Sequence, residues 1–457
     1  MPSPYTALLP AVDLPLDRVY DALNAQGADQ WELFIKLQRE RSLELRGGAL
    51  EARSTCDSIG VGIRLIREGR LGLSYLSQLD PAAISAAAQA AYTTAVYNDR
   101  ELCVGFVDTA PATQTSAVLF DPDLNDRRDE QRLATARAVD QLAKSAKVAH
   151  REVCYIETVT QVRLLNSHGV DVEKLCSLHG LSATIVAEGP RGEATGWYGL
   201  DRHRLADLDA REIGQRALRQ ARDQSQAEPI DAGHYVALFA PITAAELLEP
   251  LSALFSGEEI AKGRSPIGDK IGTEIASPAL TLIDDGTLDA GSAAAAFDDE
   301  ATAQQRTVLI DAGVMSNMLL DRLYAHRLGR LPTGNGCRAE HSAPISPQAT
   351  NLFVAPGSAD PLALISDVRR GIYITELLGA EAIDPETGDF SIGACGYLLE
   401  NGRPGRAFRG VAIVGNLLTL MRGVQAVGND LTFFGNYGAP SIRVEGLELI
   451  AGDGDAG

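Results

Sequence analysis

Aromatic residues make up only 5% of this 457-residue chain, so any core must rest on Leu, Val, Ile and Ala. Cysteine is sparse and scattered. The nearest pair, Cys154 and Cys176, is 22 residues apart, and Cys56, Cys103, Cys337 and Cys395 stand farther from any neighbour. No CxxC unit exists, which argues against zinc-ribbon sites and a disulfide framework. Six reduced thiols in a cytoplasmic protein are expected. No run approaches the roughly 18 apolar residues needed to cross a bilayer, so no membrane partner is expected. Residues 1–18 carry Asp13 and Asp17 and lack a basic start before an apolar core, so they do not read as a signal peptide. Basic charge is also short. Lys and Arg number 41 against 61 Asp and Glu, a net charge of −20 that repels phosphate backbones and argues against nucleic-acid binding.

Familiar catalytic signatures are missing too. There is no GxxxxGK[ST] phosphate loop and no GxSxG nucleophile elbow. The seven histidines form neither HExxH nor the longer HExxxH. Gly60-Val61-Gly62 resembles the start of a dinucleotide fingerprint, but Leu65 takes the third glycine's place and a turn follows, so a glycine-bearing hairpin strand is the reading. Cys337 and Cys395 sit among glycines, with His341 close to the first, and either could serve as a nucleophile if a base and an activating field were supplied. Asp298-Asp299-Glu300 could suggest a hard-cation site, but a solvated acidic loop is the expectation.

What is present is ordinary globular patterning: 45% hydrophobic and 22% charged residues, enough chain for two or three domains. Alternating apolar residues predict strands over 31–38, 42–52, 59–66, 71–77, 153–165 and 176–188. Helices are predicted over 17–26, 81–97, 127–147 and 207–224. Polar residues with Pro229 and Gly233 suggest a boundary near residue 230. Beyond it come short alternating strands over 279–283, 305–310, 371–377, 391–400, 408–414 and 442–450, and then a frayed tail over 451–457. The expectation is an α+β protein: a mixed α/β N-terminal domain over residues 1–230, then a β-rich, mainly antiparallel C-terminal domain over 231–457.

Four segments carry a resemblance: 58–75 "SIGVGIRLIREGRLGLSY", 297–338 "FDDEATAQQRTVLIDAGVMSNMLLDRLYAHRLGRLPTGNGCR", 371–402 "GIYITELLGAEAIDPETGDFSIGACGYLLENG" and 411–430 "VAIVGNLLTLMRGVQAVGND". Their order and spacing resemble the TldD/PmbA family, historically called modulators of DNA gyrase, from about residue 30 to the end. One departure is Ala301, where glycine is expected after Phe297-Asp298-Asp299-Glu300, which puts the local turn in question.

The resemblance implies two kinds of subunit. TldD-like chains bind zinc through HExxxH on a helix and a cysteine near the C-terminus. PmbA-like chains, also called TldE, share the fold without those ligands. Together they form a cytoplasmic heteromeric protease for unfolded or small peptides.

Here the metal-helix position falls on residues 239–257, "FAPITAAELLEPLSALFSG". Thr243 and Glu246 read as a capping box, and Ala244, Leu247, Leu248, Leu251 and Phe255 as an apolar stripe. The two histidine positions become Leu248 and Ala253, Glu249 takes the glutamate position, and Pro250 should interrupt the helix. Residues 431–443 hold no cysteine. The resemblance therefore implies a PmbA/TldE-like subunit with no catalytic residue and no metal of its own, the zinc lying in a TldD-like partner. Substrate would add as a strand near Thr375, Glu376, Ser391 and Gly393. The alternatives are a hydrolase using Cys395, Cys337 or an unrecognised metal site, and a peptide-binding homodimer.

Overall fold

The computed structural model describes residues 8–9, 15–101, 105–111, 119–144 and 147–451. Cys103 and the tail beyond residue 451 lie outside them. The N-terminal half is one six-stranded antiparallel sheet with helices laid on it. Its strands are β1 (Gln30–Arg46), β2 (Ala49–Arg67), β3 (Arg70–Leu76), β4 (Val148–Asn166), β5 (Asp171–Gly189) and β6 (Gly192–Arg202), in the order β3-β2-β1-β4-β5-β6. The helices are α1 (Leu16–Ala25), α2 (Pro81–Tyr97), α3 (Asp129–Ala143) and α4 (Ala210–Gln224). Asp80 caps α2 by accepting from the N–H groups of Ala82 and Ala83, and Pro81 opens its first turn.

The predicted strand over 42–52 is not a separate strand. Gly47 and Gly48, both with positive φ, are the hairpin turn between two strands of 17 and 19 residues, so the alternation on either side of them belongs to β1 and β2. The strand β6 escaped sequence reading because Gly192, Gly196 and Gly199 dilute its alternation. Gly60 and Gly62 lie within β2, as a glycine-bearing strand. A Cβ at Gly60 would stand 2.2 Å from the His341 ring, and one at Gly62 would stand 2.3 Å from the His341 carbonyl oxygen. These glycines let the chain of the second half press against the sheet.

Two of the hydrophobic clusters in the N-terminal half fix its helices to the sheet. Val19, Leu23, Ile35, Ile63 and Ile84 seal α1 and α2 to one end of the sheet. Tyr155, Ile185, Val139, Ile213 and Ala217 seal α3 and α4 to the other.

After residue 230 the architecture is β-rich. A six-stranded sheet contains β7 (Gly233–Phe239), parallel to the strand Arg370–Leu378 and antiparallel to Ile442–Ala451. A second six-stranded sheet includes Leu282–Asp285 and Arg306–Asp311. Among the described residues no sheet joins strands from both sides of residue 230. The largest core cluster lies between these sheets and the helical segment after β7.

The two halves are tied by buried charge, and here the sequence expectation fails. Asp298, Asp299 and Glu300 are not a solvated loop; they are 3%, 8% and 5% exposed. Arg64 of β2 donates twice to Glu32 of β1, at 2.8 and 2.9 Å, and once to Glu300 at 3.0 Å. Arg338 donates to Glu32 at 2.9 Å, and Lys174 of β5 to Asp299 at 2.8 Å. Asp298 accepts from the backbone N–H groups of Glu300, Thr302 and Gly336, each at 2.9 Å. Against the pull of burial, Lys174 and its hydrogen bond hold Asp299 below the ordinary carboxylate range. Ala301, the residue where glycine is expected, has a φ of 56°, the left-handed conformation that glycine adopts without strain.

Candidate functional site

The segment after β7 is built by its two prolines. Pro241 occupies the first turn of α5 (Pro241–Glu246), where its missing N–H costs nothing. Pro250 has no N–H for the Glu246 carbonyl, and the helix breaks at Leu247 before resuming as α6 (Leu248–Leu254). The predicted capping box does not form. Ala240 is the N-cap, and the Thr243 hydroxyl donates to the carbonyls of Ala240 and Ile374 at 3.0 and 3.1 Å. Glu246 is thereby freed from capping.

The apolar stripe is buried as expected, including Leu248 at 3% exposure. Its surroundings are hydrocarbon: Phe239, Ala244, Leu251, Leu282, Val354 and Met421 line a space of only about 30 Å³. Glu249 points to solvent and Ala253 is half-buried. Leu248 and Ala253 have no lone pairs to offer a metal. Among the described residues, no group of three or more His, Cys, Asp or Glu side chains is arranged to hold an ion. The residues present at this position do not fit zinc.

Glu246 leads elsewhere, into a cavity of about 460 Å³ where the two halves meet. The helix α4 supplies Gln220 and Gln224 to its lining, β6 supplies Trp197 and Tyr198, and the strand Arg370–Leu378 supplies Tyr373, Thr375 and Glu376. A neighbouring cavity of about 350 Å³ shares Glu246, Ile242 and Trp197 with it. The strand Arg370–Leu378 reaches the cavity because β7 pairs with it only through Ile374. A register shift between Ile374 and Glu376 then re-aims the following side chains.

The electrostatics of this cleft are unusual. One carboxylate oxygen of Glu246, Oε2, is buried without a hydrogen-bond partner. Burial, and then the charge of Glu376, push the Glu246 carboxyl up to about 7. Burial also raises Glu376, partly offset by a hydrogen bond from the Gln220 side chain. The Gln220 Oε1 atom meanwhile accepts from the Trp197 backbone N–H at 3.2 Å, so one amide braces both walls.

Of the four sequence-predicted binding residues, Thr375 and Glu376 line this cleft. Ser391 and Gly393 do not line it. They lie on the strand Asp389–Glu400, which is paired on both edges, and a Cβ on Gly393 would press on Leu378 at 3.0 Å, so that glycine serves packing. Neither thiol is poised to attack. Burial first, with nearby carboxylates, pushes Cys337 and Cys395 each up to about 12, the reverse of activation. The five described cysteines are unpaired. Sequence reasoning missed Glu246 and Gln224. The available signal was an acidic residue inside an apolar run, which the capping pattern absorbed.

A sheet with helices laid on it, followed by a β-rich half with an apolar helical segment after β7, is the architecture these features define. The chain belongs to the PmbA/TldD family. Family models described as the PmbA/TldA metallopeptidase domain 1, central domain and C-terminal domain match residues 31–95, 122–224 and 232–451. It is 28% identical to an uncharacterized protein of Methanocaldococcus jannaschii over 96% of this chain and 100% of that one. It is 26% identical to the metalloprotease PmbA of Escherichia coli O157:H7, covering 92% of each chain. The crystal structure of a Thermotoga maritima protein, described as a modulator of a DNA gyrase, superposes with a TM-score of 0.86 at 25% identity, over 95% of this chain and 99% of that one.

Proposed function

We propose that this chain is a PmbA/TldE-like subunit that holds no metal and completes a cytoplasmic zinc peptidase with a TldD-like partner. The observation that carries this reading is the apolar packing of Leu248, the residue that the resemblance sets at the family's first histidine. Imidazole there would be buried in hydrocarbon with no second or third donor to share a cation. Peptide would enter the cleft beside Thr375 and Glu376, adding as a strand along the stretch of Arg370–Leu378 that β7 leaves unpaired. Backbone pairing recognises extended chains of any sequence, which suits unfolded or small peptides.

The test is elemental analysis with a peptidase assay on the chain alone and mixed with a TldD-like chain. The expected result is no stoichiometric zinc and no cleavage alone, and chelator-sensitive cleavage in the mixture. One zinc per chain with activity in the lone protein would overturn the reading. Peptide binding without pairing to any partner would favour the homodimer instead.

A further inference from the structure

Two buried hydrogen-bond acceptors in the lining of the cleft have no partner. Gln224 is 4% exposed, yet its Oε1 has no partner. Glu246 Oε2 is in the same condition. Glu376 brings a second carboxylate, with only the Gln220 amide against it. A buried acceptor left unmade is costly, so these two, beside the Glu376 carboxylate, favour a donor-rich occupant. Aromatic rings line the cleft as well. Tyr373 and Tyr397 stack with ring centroids 6.3 Å apart, and Trp197 stands 47% exposed at the cavity's edge. Two exposed arginines also line the cavity, but neither bonds the two orphaned oxygens. Arg216 is spent on Glu212 at 3.0 Å and lies over the Tyr198 ring. Arg219 stands one turn from Asp223 on α4, the carboxylate to which the Tyr397 hydroxyl donates.

We propose that this cleft binds the primary ammonium group of a peptide, presented by its amino terminus or a lysine side chain, between Glu246, Glu376 and Gln224. An alkylammonium carries three N–H donors and one positive charge, which matches three acceptors. Its methylenes suit the aromatic wall, where a cation gains further from the ring faces. The inference rests on the peptide-cleft reading above and names which peptides the cleft selects.

The experiment uses the full chain, alone and with a TldD-like partner, and four forms of one pentapeptide: free or acetylated at the amino terminus, with lysine or norleucine at one position. Affinities are measured by calorimetry. The doubly blocked peptide is expected to bind weaker by about tenfold or more, the loss of one charge-assisted contact. The two singly blocked peptides identify which ammonium is read. Glu376→Gln and Glu246→Gln, which keep side-chain shape, should each shrink that preference. Equal binding of all four peptides, or a preference untouched by both variants, would overturn the ammonium site while the peptide cleft stands. No binding of any form, alone or in the mixture, would overturn the cleft reading itself.

Discussion

Two buried acidic regions of this molecule differ in one respect, and the difference separates structure from function. Glu32, Asp299 and Glu300 each have a cation within 3.0 Å, contributed across the junction between the halves, and Asp298 beside them is held by three backbone N–H groups. Around Glu246 and Glu376 the carboxylates face an open cavity, and one oxygen has no partner. Buried charge that is fully paired fixes one arrangement of the chain. Buried charge that is left unpaired is retained at a cost to folding and becomes intelligible only with an occupant. The contrast also corrects the sequence reading, in which the acidic triplet looked solvated and Glu246 looked like a cap.

The largest effect should come from breaking the paired region. Arg64→Met strips the guanidinium that bridges Glu32 and Glu300, leaving both carboxylates buried and Glu32 with Arg338 alone among the described cations. Breaking such a pair costs about 3–5 kcal/mol. Urea unfolding should show a loss of that size; a loss below about 1 kcal/mol would mean the network is ornamental.

The unpaired region should respond in the opposite direction. In the folded chain the Glu246 carboxyl titrates at about 7, against about 4.3 unfolded. Between those values the folded state binds the extra proton, so stability is full below the unfolded value and falls as pH rises toward 7. Glu246→Gln removes that titration. It should be neutral near pH 4 and stabilising above pH 7 by about 2 kcal/mol, after discount for the part of the side chain that stays wet. Thermal unfolding at the two pH values reads this directly, and a pH-independent difference would contradict the assignment.

The smallest effect belongs to Glu249, three residues along but facing water. Glu249→Ala should change stability by less than about 0.5 kcal/mol and leave cleavage by the mixed complex unaltered. A loss of cleavage would show that this face of α6 reaches the reacting peptide, which would erase the contrast between the two glutamates.

The sequence by itself determined a good deal. Period-2 and period-3.6 patterns placed α1, α2, β4 and six of the fourteen described C-terminal strands, because those elements bury one face and their side chains report it locally; the eight missed are β7 and seven of two to four residues, too short to show a period. That Leu248 and Ala253 carry no metal-binding side chain is plain from residue type alone, while their assignment to the family's histidine positions rests on the resemblance. Only the tertiary structure decided what the acidic residues do. Glu300 meets Arg64 across 236 residues of chain, and Glu246 lies opposite Glu376, 130 positions on (376 − 246). The charge state and partners of a carboxylate depend on what surrounds it in space, and no spacing along the chain encodes those neighbours.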